Sequence, residues 1–208
     1  FQAEDGIRDT SRGLVGSEMC IRDRAWSGWQ PHDYPTWGLE VAPALAALAI
    51  LVLTRNRFPL TSLSYWLILV HAVILMVGGH YTYAEVPLGD WARDLLDGDR
   101  NNYDKLGHFA QGFVPAIVIR EILVRNRVVV RRGWLSLVVV AFCLAISAFY
   151  ELVEWWVALL SEEAAESFLG TQGYVWDTQS DMFLALIGAM AALALLGRVH
   201  DRQIAALT

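Results

Sequence analysis

Residues 134–160 read WLSLVVVAFCLAISAFYELVEWWVALL, and this stretch decides the fold. No charged residue precedes Glu151 in it, and its apolar residues run on without the alternation of a half-buried strand. A helix needs about 20 such residues to cross a hydrocarbon layer roughly 30 Å thick. Working outward, comparable runs lie at 37–53, 62–79, 106–124 and 178–197. Continuous runs argue against a closed barrel, and helices are the other way to satisfy a backbone in lipid. The expectation is an all-α, polytopic bundle of five transmembrane helices with the lipid bilayer as its main partner.

The whole chain agrees. Of its 208 residues, 55% are hydrophobic and 18% charged, unusual for a soluble domain. The net charge of -6 says less than where the charges lie. Cys20 and Cys143 stand far apart and form no CxxC spacing, so neither a disulfide nor a zinc finger is indicated. Residues 1–24, FQAEDGIRDTSRGLVGSEMCIRDR, have no periodicity and break sharply in composition from the Trp-rich, apolar residues after them. They resemble translated adapter sequence or a polar tail and are set apart as a non-native leader, leaving 25–208 as one integral membrane domain.

Arginines mark one side of the bundle. Arg55 and Arg57 lie between the first two runs, Arg120, Arg125, Arg127, Arg131 and Arg132 around the join of the third and fourth, and Arg198 and Arg202 after the fifth. The other side holds Arg93, Arg100 and Lys105 among Asp90, Asp94, Asp97, Asp99, Glu162, Glu163 and Glu166. By the positive-inside rule the amino terminus is outside and the carboxyl terminus inside. Trp37, Trp155, Trp156 and Trp176 fall at outer ends and Trp66 and Trp134 at inner ends, as an interfacial belt requires. Ala185, Gly188, Ala189 and Ala192 give the last helix a small-residue face for close packing.

Ionisable groups cost some 2.5–3.5 kcal/mol each at a bilayer centre on insertion scales, so those inside the runs call for a partner or a task. Asp104 and His108, Glu151 and Glu154, and Asp177 and Asp181 each share a helix face by spacing. With the topology above, all three pairs reach the outer half of the membrane, as do His80, Tyr81, Tyr83 and Glu85. Carboxylates gathered there must hold a cation, hold protons or admit water. Oxygen-rich ligation with some imidazole suits Mg²⁺, Mn²⁺, Ca²⁺ or Zn²⁺, and Lys105 is a further counter-ion. Plainer readings stand beside this one. Asp104 and Asp177 are also placed to be N-caps, His71 to be a hydrogen-bonded interior histidine, and Glu121 with Arg125 to be a structural i,i+4 pair. Glu151 and Glu154 have no capping role to explain them.

Four motifs in order, HYTYAEVPL at 80–88, RNNYDKLGHFAQGF at 100–113, YELVEWW at 150–156 and FLGTQGYVWDTQSDM at 168–182, closely resemble the YjdF family of bacterial inner-membrane proteins. A looser likeness extends to VanZ-like proteins, with an Asp-Lys-x-x-His-Phe helix start and a later membrane Glu. The resemblance implies a multi-pass protein of the bacterial inner membrane and, by the VanZ analogy, lipid or envelope substrates. It also implies Gln-Gly-Asp where this chain has Gln172, Gly173 and Tyr174, one carboxylate fewer.

Three functions fit these residues. The first is a metal-dependent hydrolase or transferase on a lipid-linked or envelope small molecule, with Asp104, His108, Glu151 and Glu154 catalytic and Asp104, His108, Glu151, Glu154, Asp177, Asp181, His80 and Glu85 as metal ligands. The second is an ion-coupled transporter, ranked lower because the inner half is nearly free of polar groups apart from His71 and Glu121. The third is a scaffold without catalysis. Nothing resembles a glycine-rich phosphate loop or an axial histidine pair, and topology accounts for the basic residues without nucleic acid.

Overall fold

The computed structural model describes residues 26–160 and 172–207, with only the backbone of residue 132. The leader and Glu162, Glu163 and Glu166 lie outside the described residues, as does the start of the 168–182 motif. The membrane helices are α1 (Tyr34–Thr54), α2 (Ser62–Tyr81), α4 (Tyr103–Arg125), α5 (Arg132–Leu160) and α6 (Asp177–Ala205). A 3-10 turn, Tyr83–Glu85, and the short α3, Pro87–Leu96, lie between α2 and α4. Each of the five longer helices is long and apolar enough to cross a membrane, and the described residues contain no strand.

Local chemistry sets the helix starts. Asp33 Oδ2 accepts from Thr36 N at 2.8 Å, capping α1, and Thr61 Oγ1 accepts from Ser64 N at 3.3 Å, capping α2. Asp104 and Asp177 are not caps: Asn102 and Trp176 hold those positions, and both aspartates stand in the first helical turn, where each carboxylate bonds Arg100. α6 continues beyond the expected end at 197, because Arg198–Ala205 forms further helical turns past the apolar stretch. The expected runs did not include α3. Its Leu88, Trp91, Leu95 and Leu96 are exposed on one side while Asp90, Arg93 and Asp94 pair with one another, the pattern of a helix lying in the membrane interface.

α4 is the centre of the bundle, packed against α2, α5 and most closely α6. A Cβ on Gly112 would run into the Ala185 carbonyl, and one on Gly188 into the Phe109 carbonyl, so the small-residue face does bring two backbones together. Ala116, Ile117, Val139, Cys143, Ala189 and Ala192 fill the seam with α5 and α6. α1 instead rests on α2 through Val41, Ala44, Ala72 and Met76. Pro43 in α1 and Pro115 in α4 each remove one internal helix bond, and both face the same groove between these helices. Leu53, Val70, Leu137, Phe142 and Leu195 point outward, as side chains solvated by lipid do.

Polar groups concentrate at the two ends. Asp104 and Glu121 are seventeen residues apart on α4, roughly 25 Å at 1.5 Å per residue. The Glu121 end is more polar than the sequence reading allowed. Glu121 accepts from Thr61 N (2.8 Å), Thr61 Oγ1 (2.8 Å), Ser64 Oγ (2.6 Å) and Arg125 Nη1 (2.9 Å). Arg120 has only donors, so its bond at 3.1 Å makes His200 Nδ1 the acceptor and leaves Nε2–H to donate to Glu121 at 3.2 Å. The expected Glu121–Arg125 pair is thus one edge of a junction that joins the start of α2 to α4 and α6.

Candidate functional site

At the other end, four helices bring carboxylates together. α4 supplies Asp104 and His108 from its first turns, α5 supplies Glu151 and Glu154 near its last, α6 supplies Asp177 and Asp181 from its first, and α1 supplies Glu40. Ligand-type atoms of His108, Glu151 and Asp181 all lie within 4.8 Å of one another, and so do those of Asp104, Asp177 and Asp181. Asp181 belongs to both groups. His108 Nε2 is 3.9 Å from Asp181 Oδ2, while its Nδ1 meets Gln111 Oε1 at 3.2 Å.

The two groups differ in charge balance. Arg100, in the loop before α4, donates Nη2 to Asp104 Oδ2 at 2.6 Å and Nη1 to Asp177 Oδ1 at 2.8 Å. Burial alone would lower this guanidinium's pKa, but the Asp177 hydrogen bond and the Asp104 charge outweigh it and leave it raised, so Arg100 is a permanent counter-ion. Lys105 Nζ bonds Ser180 Oγ at 3.1 Å rather than a carboxylate. The His108, Glu151 and Asp181 group has no such bonded cation among the described residues, and the Glu154 carboxyl lies beside it. Glu151 is 8% exposed and bonded by Thr178, yet its Oε1 has no partner among the described residues; nor has Asp104 Oδ1. Buried acceptors without donors are costly, and a cation or a proton relieves them.

Glu40, a lone acid in its apolar run, joins the site from α1 without any spacing signal in the sequence. It is buried, and Tyr150 OH donates to its Oε2 at 3.0 Å. Tyr83 bonds it too; burial first, then the Glu40 charge, holds the Tyr83 phenol well above its ordinary range, so it remains a donor. The Tyr83 ring sits where a Cβ on Gly78 or Gly107 would collide with it, which seats the turn against α2 and α4.

Two expected ligands are engaged elsewhere. His80 Nδ1 meets Ser27 O at 2.9 Å and its ring stacks on Trp26, while Glu85 pairs at 3.4 Å with His32 on the surface. Tyr174 stands with its ring 5.5 Å from Arg100 and 5.0 Å from Lys105, an aromatic face over two cations where the resemblance implies a carboxylate. Gln172 and Asn101 exchange two bonds, at 2.8 and 3.1 Å, fastening the loop before α6 to the loop before α4.

From this acid-rich end a cavity of about 630 Å³ runs between α1 and α4. Glu40, Asp104, His108, Tyr150, Glu154 and Asp181 line its polar head. Its length is walled by residues such as Ala47, Ile50, Leu51, Leu75, Val114 and Val118, reaching Phe58 and Asn126 at the far end. His71 borders it halfway, its Nε2 unbonded among the described residues.

The family model described as "Predicted membrane protein (DUF2238)" matches residues 20–202. The chain is 53% identical over 179 residues, 86% of each sequence, to the inner membrane protein YjdF of Escherichia coli strain K12. No solved structure matches it.

Proposed function

The chain belongs to the DUF2238 family of predicted membrane proteins and is a multi-pass inner-membrane protein, and from that premise we propose that it is a divalent-metal-dependent hydrolase or transferase acting on a lipid-linked substrate. The observation that carries the reading is the junction of an acid-rich head with a long apolar cavity, a shape and polarity that match an amphiphile. His108, Glu151 and Asp181 would hold the ion, an oxygen-rich set with one imidazole. Such an ion supplies Lewis acidity toward a phosphoryl or acyl oxygen. Glu154, beside that group, is the proposed general base, and Tyr150 and Glu40 are placed to orient the polar head. Arg100 keeps Asp104 and Asp177 apart from the ion as a fixed, neutralised wall.

The carrier reading ranks below this because the cavity wall between its two ends is apolar but for Gln111 and His71, which leaves no continuous polar relay. The acid-rich end is taken as the outer one, from the arginine distribution. The test is metal content by mass spectrometry on detergent-purified protein. Stoichiometric divalent metal is expected in the parent and in Glu154→Ala, and its loss in Glu151→Ala; a negligible content in the parent, or an unchanged one in Glu151→Ala, would refute the reading.

A further inference from the structure

The end opposite the acids holds a second cavity, of about 590 Å³, between α4, α5 and α6. Its wall carries Arg120, Arg127 and Arg198 against a single carboxylate, Asp201, over apolar Val124, Leu135 and Leu193. Arg120 is committed, bonding both Asp201 and His200. Arg127 and Arg198 are exposed at the rim and have no ion-pair partner among the described residues. The chain at this rim, 126–131, reads NRVVVR, and Val128 and Val130 are 64% and 85% exposed beside the guanidiniums. Apolar side chains projecting next to arginines match a bilayer interface, where valine meets acyl carbon and arginine meets phosphate. Gly197 completes the wall, and a Cβ there would meet nothing within 4 Å, so the space beside it is open.

We propose that this cavity binds the headgroup of an anionic phospholipid from the surrounding leaflet, its phosphate between Arg127 and Arg198 and its first acyl carbons on Val124, Leu135 and Leu193. Guanidinium forks match phosphate oxygens in geometry and charge, and basic pockets between membrane helices suit such headgroups. A leaflet lipid is favoured over a soluble anion because the same rim presents exposed valines. The site shares no residue with the acid-rich cavity and stands independently of it.

The experiment is native mass spectrometry of the full chain in zwitterionic detergent, supplied with phosphatidylglycerol or phosphatidylcholine at equal mole fraction. Preferential retention of a phosphatidylglycerol is expected, weakened by roughly thirtyfold when Arg127→Ala and Arg198→Ala are combined, at about 1 kcal/mol per basic residue. Gly197→Leu, which fills the open space while leaving both arginines in place, is expected to abolish the preference without lowering the melting temperature. Equal retention of the two lipids, or retention unchanged in the arginine variant, overturns the proposal. Loss in the arginine variant with Gly197→Leu unaffected overturns it too, since the anion would then sit on the open surface. Displacement by millimolar inorganic phosphate would reassign the pocket to a free anion and equally overturn the lipid assignment.

Discussion

Arg100 Nη1 lies 2.8 Å from Asp177 Oδ1, so a loop residue preceding α4 is held to the first turn of α6. The same guanidinium holds Asp104 at 2.6 Å, and one positive charge therefore sets the spacing of two helix starts. Replacing Arg100 with Met leaves two buried carboxylates facing each other. Removing one partner of a buried pair costs about 3–5 kcal/mol, so a clear fall in melting temperature is expected. Millimolar Mg²⁺ or Mn²⁺ should recover part of it in this variant more than in the parent, and a thermal-shift series with and without the ions measures the difference.

Asp181 is the shared vertex of both ligand groups. Asp181→Asn is accordingly expected to empty the metal site, and His108→Ala to weaken it by at least tenfold, taking one lost ligand as more than about 1.4 kcal/mol. His80→Ala and Glu85→Gln should keep the parental metal content, because these residues bond Ser27 and His32 instead. Metal analysis after dialysis against a graded chelator separates the two classes. Loss of metal in all four variants alike would mean general unfolding rather than ligation.

Glu121 satisfies donors from α2, α4 and α6 at once. Glu121→Ala strands those donors in a buried place and is expected to destabilise by about 3–5 kcal/mol. Thermal unfolding in detergent reads the loss. Metal content per folded molecule should be unchanged, since the junction lies at the other end of the bundle.

Glycines should sort by their surroundings. Gly112→Leu and Gly188→Leu force a side chain into an opposing backbone and should abolish folding or cost well beyond the roughly 1–3 kcal/mol of ordinary overpacking. Gly38→Ala, where a Cβ meets nothing within 4 Å, should gain about 0.5–1 kcal/mol from helix propensity. Expression yield and melting temperature together check both directions.

Ala47→Trp would fill the apolar length of the long cavity far from the carboxylates. Binding of a long-chain amphiphile is expected to fall by more than tenfold with the metal retained, as an indole ring displaces the chain's contact surface. Unchanged binding in equilibrium retention assays with a radiolabelled polyprenyl phosphate would remove the cavity from the substrate path.

The five membrane helices were legible because a long apolar run has few other uses, and the runs at 62–79 and 134–160 sit within α2 and α5 with little change. α3 escaped because ten amphipathic residues leave no such run. The three ionisable pairs on α4, α5 and α6, one carboxylate with an imidazole and two of carboxylates, are legible from spacing and depth. Depth says nothing of direction, however, which is why His80 and Glu85 were grouped with them and turn out to be bonded elsewhere. Glu40 carries the same signal as Glu151, a carboxylate within an apolar run, but has no second acid at helical spacing to mark it. The service of Arg100 to two aspartates, and the meeting of Glu121 with His200 across 79 residues, are tertiary facts that no local pattern encodes.

α1 rests on α2, and beyond that seam its polar tie to α5 is the bond between Glu40 and Tyr150. It thus has the mechanics of a door leaf hung along one edge and latched near the top. Were a ligand to take the Glu40 carboxylate, that tie would be lost, while the tight seam of α4 and α6, in which α1 has no part, would stay.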